Sequence, residues 1–151
     1  MRFEEWIENV PEEIRDDSLW HMQAYRYALF LADLVAEDGK YLQKDDRTRK
    51  MTGQLVRAVG SIGANLAEGY SRRSAKDRAR LYEYALGSAR EARHWYYQAR
   101  MVLPDHVVTH RMKVIKAIVR LLLTMIPQQR GKRIIAEPTR IYDPVEEEDA
   151  L

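Results

Sequence analysis

An all-α fold, an up-and-down four-helix bundle with a short N-terminal extension and a C-terminal arm, is predicted for this chain by three observations. Apolar residues recur at spacings of three and four along four separate stretches. Polar or proline-bearing turns divide those stretches. Nowhere does the strict alternation of a half-buried strand replace the helical spacing. A chain of 151 residues is long enough to bury a core as one domain, and the absence of cysteine excludes disulfide, thiolate-metal and cysteine-nucleophile chemistry.

Residues 1–17 read as an acidic extension in which Phe3, Trp6, Ile7 and Val10 can form a short extra helix. The bundle is expected over 18–127. Asp17 or Ser18 caps its first long helix, which carries Ala24, Tyr27, Leu31 and Leu34 and ends near Gly39. The stretch 39–48 is polar and turn-like. Asp46 or Thr48 then opens a second helix with the seam Leu55, Val59, Ile62 and Leu66, and Gly69 stands as its C-terminal stop. Gly60, Ala64 and Ala67 form a small-residue stripe on it that would let a neighbouring backbone come close. Gly53, Gly60 and Gly63 weaken this helix intrinsically, so tertiary packing has to hold it.

Ser71 or Ser74 caps the third helix, where Leu81, Ala85, Ser88, Ala92, Trp95, Ala99 and Val102 follow near-heptad spacing up to Pro104. The fourth helix, from about Asp105 to Ile126, is the most apolar. One seam runs through Val108, Met112, Ile115, Val119, Leu122 and Ile126, and a second through Val107, Val114, Ile118, Leu121 and Met125. The second seam suits either an oligomer interface or a deeply buried helix. Pro127 is expected to end this helix, and residues 128–151 read as an arm, basic and then acidic.

Charge is segregated along the chain. Residues 1–17 hold two basic and seven acidic side chains, and residues 134–151 hold one and six. Each end therefore carries −5, and the net charge of +2 leaves +12 for the middle. Such a balance points to a polyanionic partner, with a solvated surface as the competing reading. The acidic N-terminus is unlike a signal peptide and no apolar run reaches the length of a membrane span, so a soluble, cytoplasmic protein is expected.

Catalytic constellations are missing from the sequence. Glu91 and His94 form a Glu-x-x-His pair of the type found in di-iron bundles, but residues 106–133 contain no acid, so one helix could give no carboxylate. Of His21, His94, His106 and His110, only the last two have i,i+4 spacing, and His-Glu-x-x-His is absent. There is no Gly-x-Ser-x-Gly elbow and no phosphate-binding glycine loop. No metal or cofactor is inferred, and a non-enzyme is expected.

The binding signal is cationic. Arg72, Arg73, Lys76 and Arg80 cluster at the start of the third helix and Arg90 and Arg93 continue along it. The fourth helix adds Arg111, Lys113, Lys116 and Arg120 without acidic counterweight. Clustered cations of this kind hold phosphates without reading base sequence. Tyr70, Tyr82, Tyr84, Trp95, Tyr96 and Tyr97 lie nearby and can either stack on bases or fill the core.

The run Gln54-Leu55-Val56-Arg57-Ala58-Val59-Gly60-Ser61-Ile62-Gly63-Ala64-Asn65-Leu66-Ala67-Glu68-Gly69 resembles a bacterial family known simply as four-helix bundle proteins. Its members are also called S23-like, or proteins encoded by intervening sequences in large-subunit ribosomal RNA genes. The family pattern here is approximately Q-L-x-R-A-x-x-S-I-x-x-N-I-A-E-G, with Leu66 in place of isoleucine. The likeness continues through Arg73, Ser74, Lys76, Asp77, Ala85, Gly87, Ser88 and Glu91, and covers roughly residues 20–125. It implies an up-and-down bundle assembled as a homopentamer. Related accessory proteins of diversity-generating retroelements bind a reverse transcriptase and nucleic acid, so scaffolding is the implied biochemistry.

Read from the residues themselves, Arg57, Ser61, Asn65, Glu68 and Gly69 form a structural motif. Ser61 and Asn65 can bond across or along helices, and Glu68 can pair with Arg57 or Arg73 or accept from the start of the third helix. The leading expectation is a non-enzymatic, oligomeric bundle that binds nucleic acid, RNA in the first place with DNA left open, through the basic faces of helices three and four. A scaffold or accessory subunit for a nucleic-acid enzyme such as a reverse transcriptase is the alternative, and a purely structural homo-oligomer the third reading.

Overall fold

The computed structural model describes residues 1–131, and the arm expected beyond that point lies outside the described residues. Four long helices, α3 (Gln23–Leu42), α4 (Arg49–Tyr70), α5 (Ala75–Ala99) and α6 (Asp105–Gln129), follow two short ones, α1 (Phe3–Ile7) and α2 (Glu12–Arg15). Short connections turn each long helix back on the last. Both α3 and α5 pack on α4 and α6, which closes a four-membered ring around one core. Among the described residues there is no strand.

The expected seams form that core. Leu55, Val59, Ile62 and Leu66 of α4, with Ile115, Ile118 and Leu122 of α6, are closed to solvent or nearly so. Ile118 and Val114 belong to the second seam of α6, and their burial within the chain favours the deeply buried helix over an apolar face left for a partner. On α5 the aromatics that fill the core are Tyr82 and Tyr96, both buried, whereas Trp95, placed on the seam by its spacing, is half-buried at the rim.

Several helix ends differ from the sequence expectation. Asp17 caps a 3-10 turn, Ser18–His21, by accepting from the Leu19 amide at 2.8 Å, and α3 begins only at Gln23. Gly39 is buried inside α3, where a Cβ would make ordinary contact with Thr52 of α4 at 3.6 Å, so the residue neither ends the helix nor is required by a close approach. Thr48 does not cap α4. Its hydroxyl turns back and donates to the carbonyl of Leu42 at 2.7 Å, satisfying the end of α3 instead. Pro127 lies inside the last turn of α6, two residues before its end, where only one intrahelical bond is forfeited. The stop is Gly131, whose φ of +66 gives the left-handed conformation that closes helices.

Gly69 is likewise no terminator; it lies inside α4 with right-handed backbone. Its role is close packing: a Cβ at this position would sit 2.8 Å from the ring of buried Tyr82 and 3.1 Å from Leu81. Gly69→Ala is expected to cost about 1–3 kcal/mol by forcing that ring aside, read as a lower midpoint in urea unfolding. The small stripe is also corrected. Gly60 and Ala64 face solvent, a Cβ at Gly60 would meet nothing, and the close approach to α3 runs through Gly63, whose Cβ would meet that of Ala28 at 3.7 Å.

The acidic N-terminal residues are no mere extension, because α1 completes the core. Phe3 is fully buried, stacked on Trp6 and tilted against Tyr27 and Phe30 with centroids 4.8 to 5.7 Å apart. The indole of Trp6 donates to Asp33 of α3 at 2.6 Å, and Phe30 in turn meets His110 of α6 edge-on. This aromatic cluster bridges the first and last helices of the ring.

Candidate nucleic-acid interface

The basic run begins at the turn between α4 and α5, and its backbone is held by one residue. Arg78 donates to the carbonyls of Arg72 at 2.9 Å and Arg73 at 2.8 Å, while its Nε reaches Gln129 of α6 at 2.7 Å. Ser74 caps α5 by accepting from the Asp77 amide at 3.2 Å. With Arg78 used as a clamp, Arg72, Arg73, Lys76 and Arg80 are left at the surface.

Their charges are not equally available. Arg72 pairs with Glu68 at 2.7 Å, one turn back on α4, so Glu68 is engaged by neither Arg57 nor Arg73. Arg80 lies 3.8 Å from Asp77, with its guanidinium 5.8 Å from the exposed ring of Tyr84. Arg57 is exposed on α4. Ser61 meets Ser88 of α5 at 2.9 Å and so ties α4 to α5, while Asn65 donates back along α4 to the Ser61 carbonyl and hydroxyl.

Further along, Arg90 and Arg93 are exposed on α5, and Lys113, Lys116 and Arg120 are exposed on α6. Spacings of three and four put the three α6 cations on one solvent stripe. The contacts of Arg78 with Gln129 and of Glu83 with Arg130 fix the antiparallel register of the two helices. In that register Arg90 stands at the height of Arg120 and Arg93 at that of Lys116, so cations of the two helices lie level in one candidate field. From His106 to Gly131 the α6 side carries no acidic residue, whereas on α5 the exposed Glu91 lies within the field between Arg90 and Arg93. Tyr84 and Tyr97 are about half exposed beside it, Tyr97 with the Arg100 guanidinium 4.0 Å from its ring centroid, while Tyr82 and Tyr96 are buried.

Arg111, counted with these cations in the sequence, does not belong to the interface. It turns inward and forms a two-pronged bond to Asp38 of α3, Nε to Oδ2 at 2.7 Å and Nη2 to Oδ1 at 2.9 Å. The buried Tyr96 hydroxyl donates to the same carboxylate at 2.8 Å. The Nη1 of Arg111 also sits 2.6 Å from His110 Nδ1, which suits an unprotonated nitrogen accepting there. Burial, with Asp38's charge and hydrogen bond added, holds the Tyr96 phenol well above its usual range. Burial alone would lower Arg111, but the bonds and charge of Asp38 outweigh it and the guanidinium is raised. Asp38, 4% exposed, is the polar residue that sequence reading missed.

Glu91 and His94, the one Glu-x-x-His pair, are exposed, and both lean on Trp95: Glu91 accepts from its indole at 3.3 Å and His94 stacks edge-on. Among the described residues no three His, Cys, Asp or Glu side chains gather as a metal site would need. No described helix is long and apolar enough to cross a membrane.

Comparison with known proteins fits this architecture. The family described as 23S rRNA-intervening sequence protein matches residues 21–124, the four long helices without α1 and α2. Among solved structures, a protein of unknown function from the S23 ribosomal protein family of Bacteroides thetaiotaomicron superposes with a TM-score of 0.64 at 23% identity, covering 68% of this chain and 97% of that one. No curated protein matches the chain.

Proposed function

We infer that this chain, which belongs to the 23S rRNA-intervening sequence protein family, is a non-enzymatic RNA-binding bundle that holds phosphates on the solvent face of α5 and α6. The observation that carries the reading is the α6 stripe Lys113, Lys116 and Arg120, exposed, level with Arg90 and Arg93, and free of acidic neighbours on its own helix. Arg73 and Lys76 extend the field toward the α4–α5 turn. Binding of this kind is electrostatic and sequence-tolerant. A cytoplasmic setting goes with such a partner.

The test is a salt titration of the full chain against generic single-stranded RNA, compared with Lys113→Gln, Lys116→Gln and Arg120→Gln combined. Three lost phosphate contacts should flatten the salt slope by about 2 and weaken binding roughly 100-fold at 0.1 M salt. An unchanged slope would refute the assignment of this face.

A homo-oligomer, the pentamer included, is the companion proposal, supported by the exposed face of α4. There Gly53, Val56, Gly60 and Ala64 lie open, and neither glycine has anything near it that a second copy's helix would have to displace. Light-scattering mass decides this, since a monomer at micromolar concentration removes the proposal.

A further inference from the structure

The chain that continues past Gly131 carries charge opposite to the face just described. Residues 134–151 hold one basic side chain, Arg140, and six acidic ones, of which Glu146, Glu147, Glu148 and Asp149 are consecutive. The described chain leaves α6 at Gly131, on the same helix as Lys113 and Lys116. From Gly131 back to Lys116 is fifteen residues of helix, or about 22 Å at 1.5 Å per residue. From Gly131 forward to Glu146 is also fifteen residues, and a coil of that length spans on average about 21 Å.

Resting on the RNA-binding reading above, we propose that residues 143–149 of this chain occupy the Lys113–Lys116 stripe in the free protein and compete there with RNA. Charge complementarity selects this occupant, and the match between reach and distance gives it a high local concentration. A tether of matched length holds the acidic run at an effective concentration on the order of millimolar. Even a contact with a dissociation constant of about 0.1 mM would then be mostly formed, and an RNA ligand would bind about ten-fold more weakly than to the open face. The segment thereby sets a threshold: short or weakly charged RNA is excluded, and only a polyanion with enough phosphates displaces the run. Salt weakens the tether contact and the RNA contact together, so the discrimination is sharpest at low ionic strength.

The experiment uses the full chain and a full-length variant with Glu146→Gln, Glu147→Gln, Glu148→Gln and Asp149→Asn. One readout is affinity for generic single-stranded RNA at 50 mM salt, expected to be about ten-fold tighter in the variant. The second needs no RNA: the rate at which an amine-acetylating reagent labels Lys113 and Lys116, followed by mass spectrometry, with exposed Lys50 of α4 as reference. Labelling of Lys113 and Lys116 should rise several-fold in the variant while Lys50 is unchanged. Equal labelling in the two proteins overturns the proposal, whether or not RNA binds. Faster labelling with no RNA binding by either protein keeps the masking contact and removes the RNA reading beneath it.

Discussion

Replacing Arg111 by methionine should lower the stability of the bundle by about 3–5 kcal/mol, because it strands the Asp38 carboxylate where water does not reach. Asp38 is 4% exposed, and two of its three hydrogen bonds would not survive: both guanidinium contacts vanish, leaving only the Tyr96 hydroxyl. For a chain of this size the midpoint of thermal unfolding should drop by roughly 6–20 °C. The companion variant Arg111→Met, Asp38→Leu, Tyr96→Phe removes every member of the network and should recover most of the loss, since apolar residues of similar volume can replace a buried ion pair at little cost. A loss below about 1 kcal/mol in the single variant would show the pair to be dispensable. RNA binding separates this residue from its neighbours: the salt slope should be unaltered in Arg111→Met and flattened when Lys113, Lys116 and Arg120 are replaced.

Phe3→Ala should have an effect of similar size, about 3–5 kcal/mol, although it lies only three residues into the chain. The ring is fully buried against Trp6, Tyr27 and Phe30, so truncation leaves a cavity between α1 and α3 that the surrounding rings fill only in part. The expected readouts are a lower denaturation midpoint at unchanged m-value and enhanced quenching of Trp6 fluorescence by acrylamide. If instead stability changed by less than about 1 kcal/mol, the first residues would be an appendage and the core would close without them.

The contrast between these two residues explains what could be read from the sequence. Helical spacing identified the seams of α4 and α6, because an apolar residue every three or four positions has one physical explanation in a soluble bundle. It failed where one helix carries two competing stripes. Arg111 follows Val108 by three and precedes Ile115 by four, the spacing of the buried seam, yet its charge led it to be grouped with Lys113 and Lys116. Asp38 follows Leu31 by seven and Leu34 by four, and Tyr96 follows Ala92 by four. Opposite charges at core positions of two helices were the available signal for an internal pair.

Glycines misled for a related reason. Gly69 and Gly39 read as stops because glycine often ends helices, but both lie inside theirs, and at Gly69 the absence of a side chain serves packing against Tyr82. Only tertiary neighbours distinguish those uses. The motif Ser61, Asn65 fared better, since its polar groups can reach partners one turn away or on the next helix whatever the global arrangement. The surface cations were legible as a charge excess but not as a geometry. That α5 and α6 bring theirs to one height follows from the antiparallel register, which no single helix encodes.

The Asp38–Arg111 pair joins residues 73 apart in sequence, whereas the Ser61–Ser88 bond between α4 and α5 joins residues 27 apart. Closing the longer loop costs more chain entropy, so the α4–α5 hairpin is expected to act as the nucleus and the α3–α6 seam with its buried ion pair to form after the barrier, which a φ-value near zero for Arg111→Met would check. Loss of the pair then accelerates unfolding and leaves the folding rate nearly untouched. The network at the centre of this bundle is thus a latch on the native lifetime: it governs how long the ring stays closed rather than how quickly it closes.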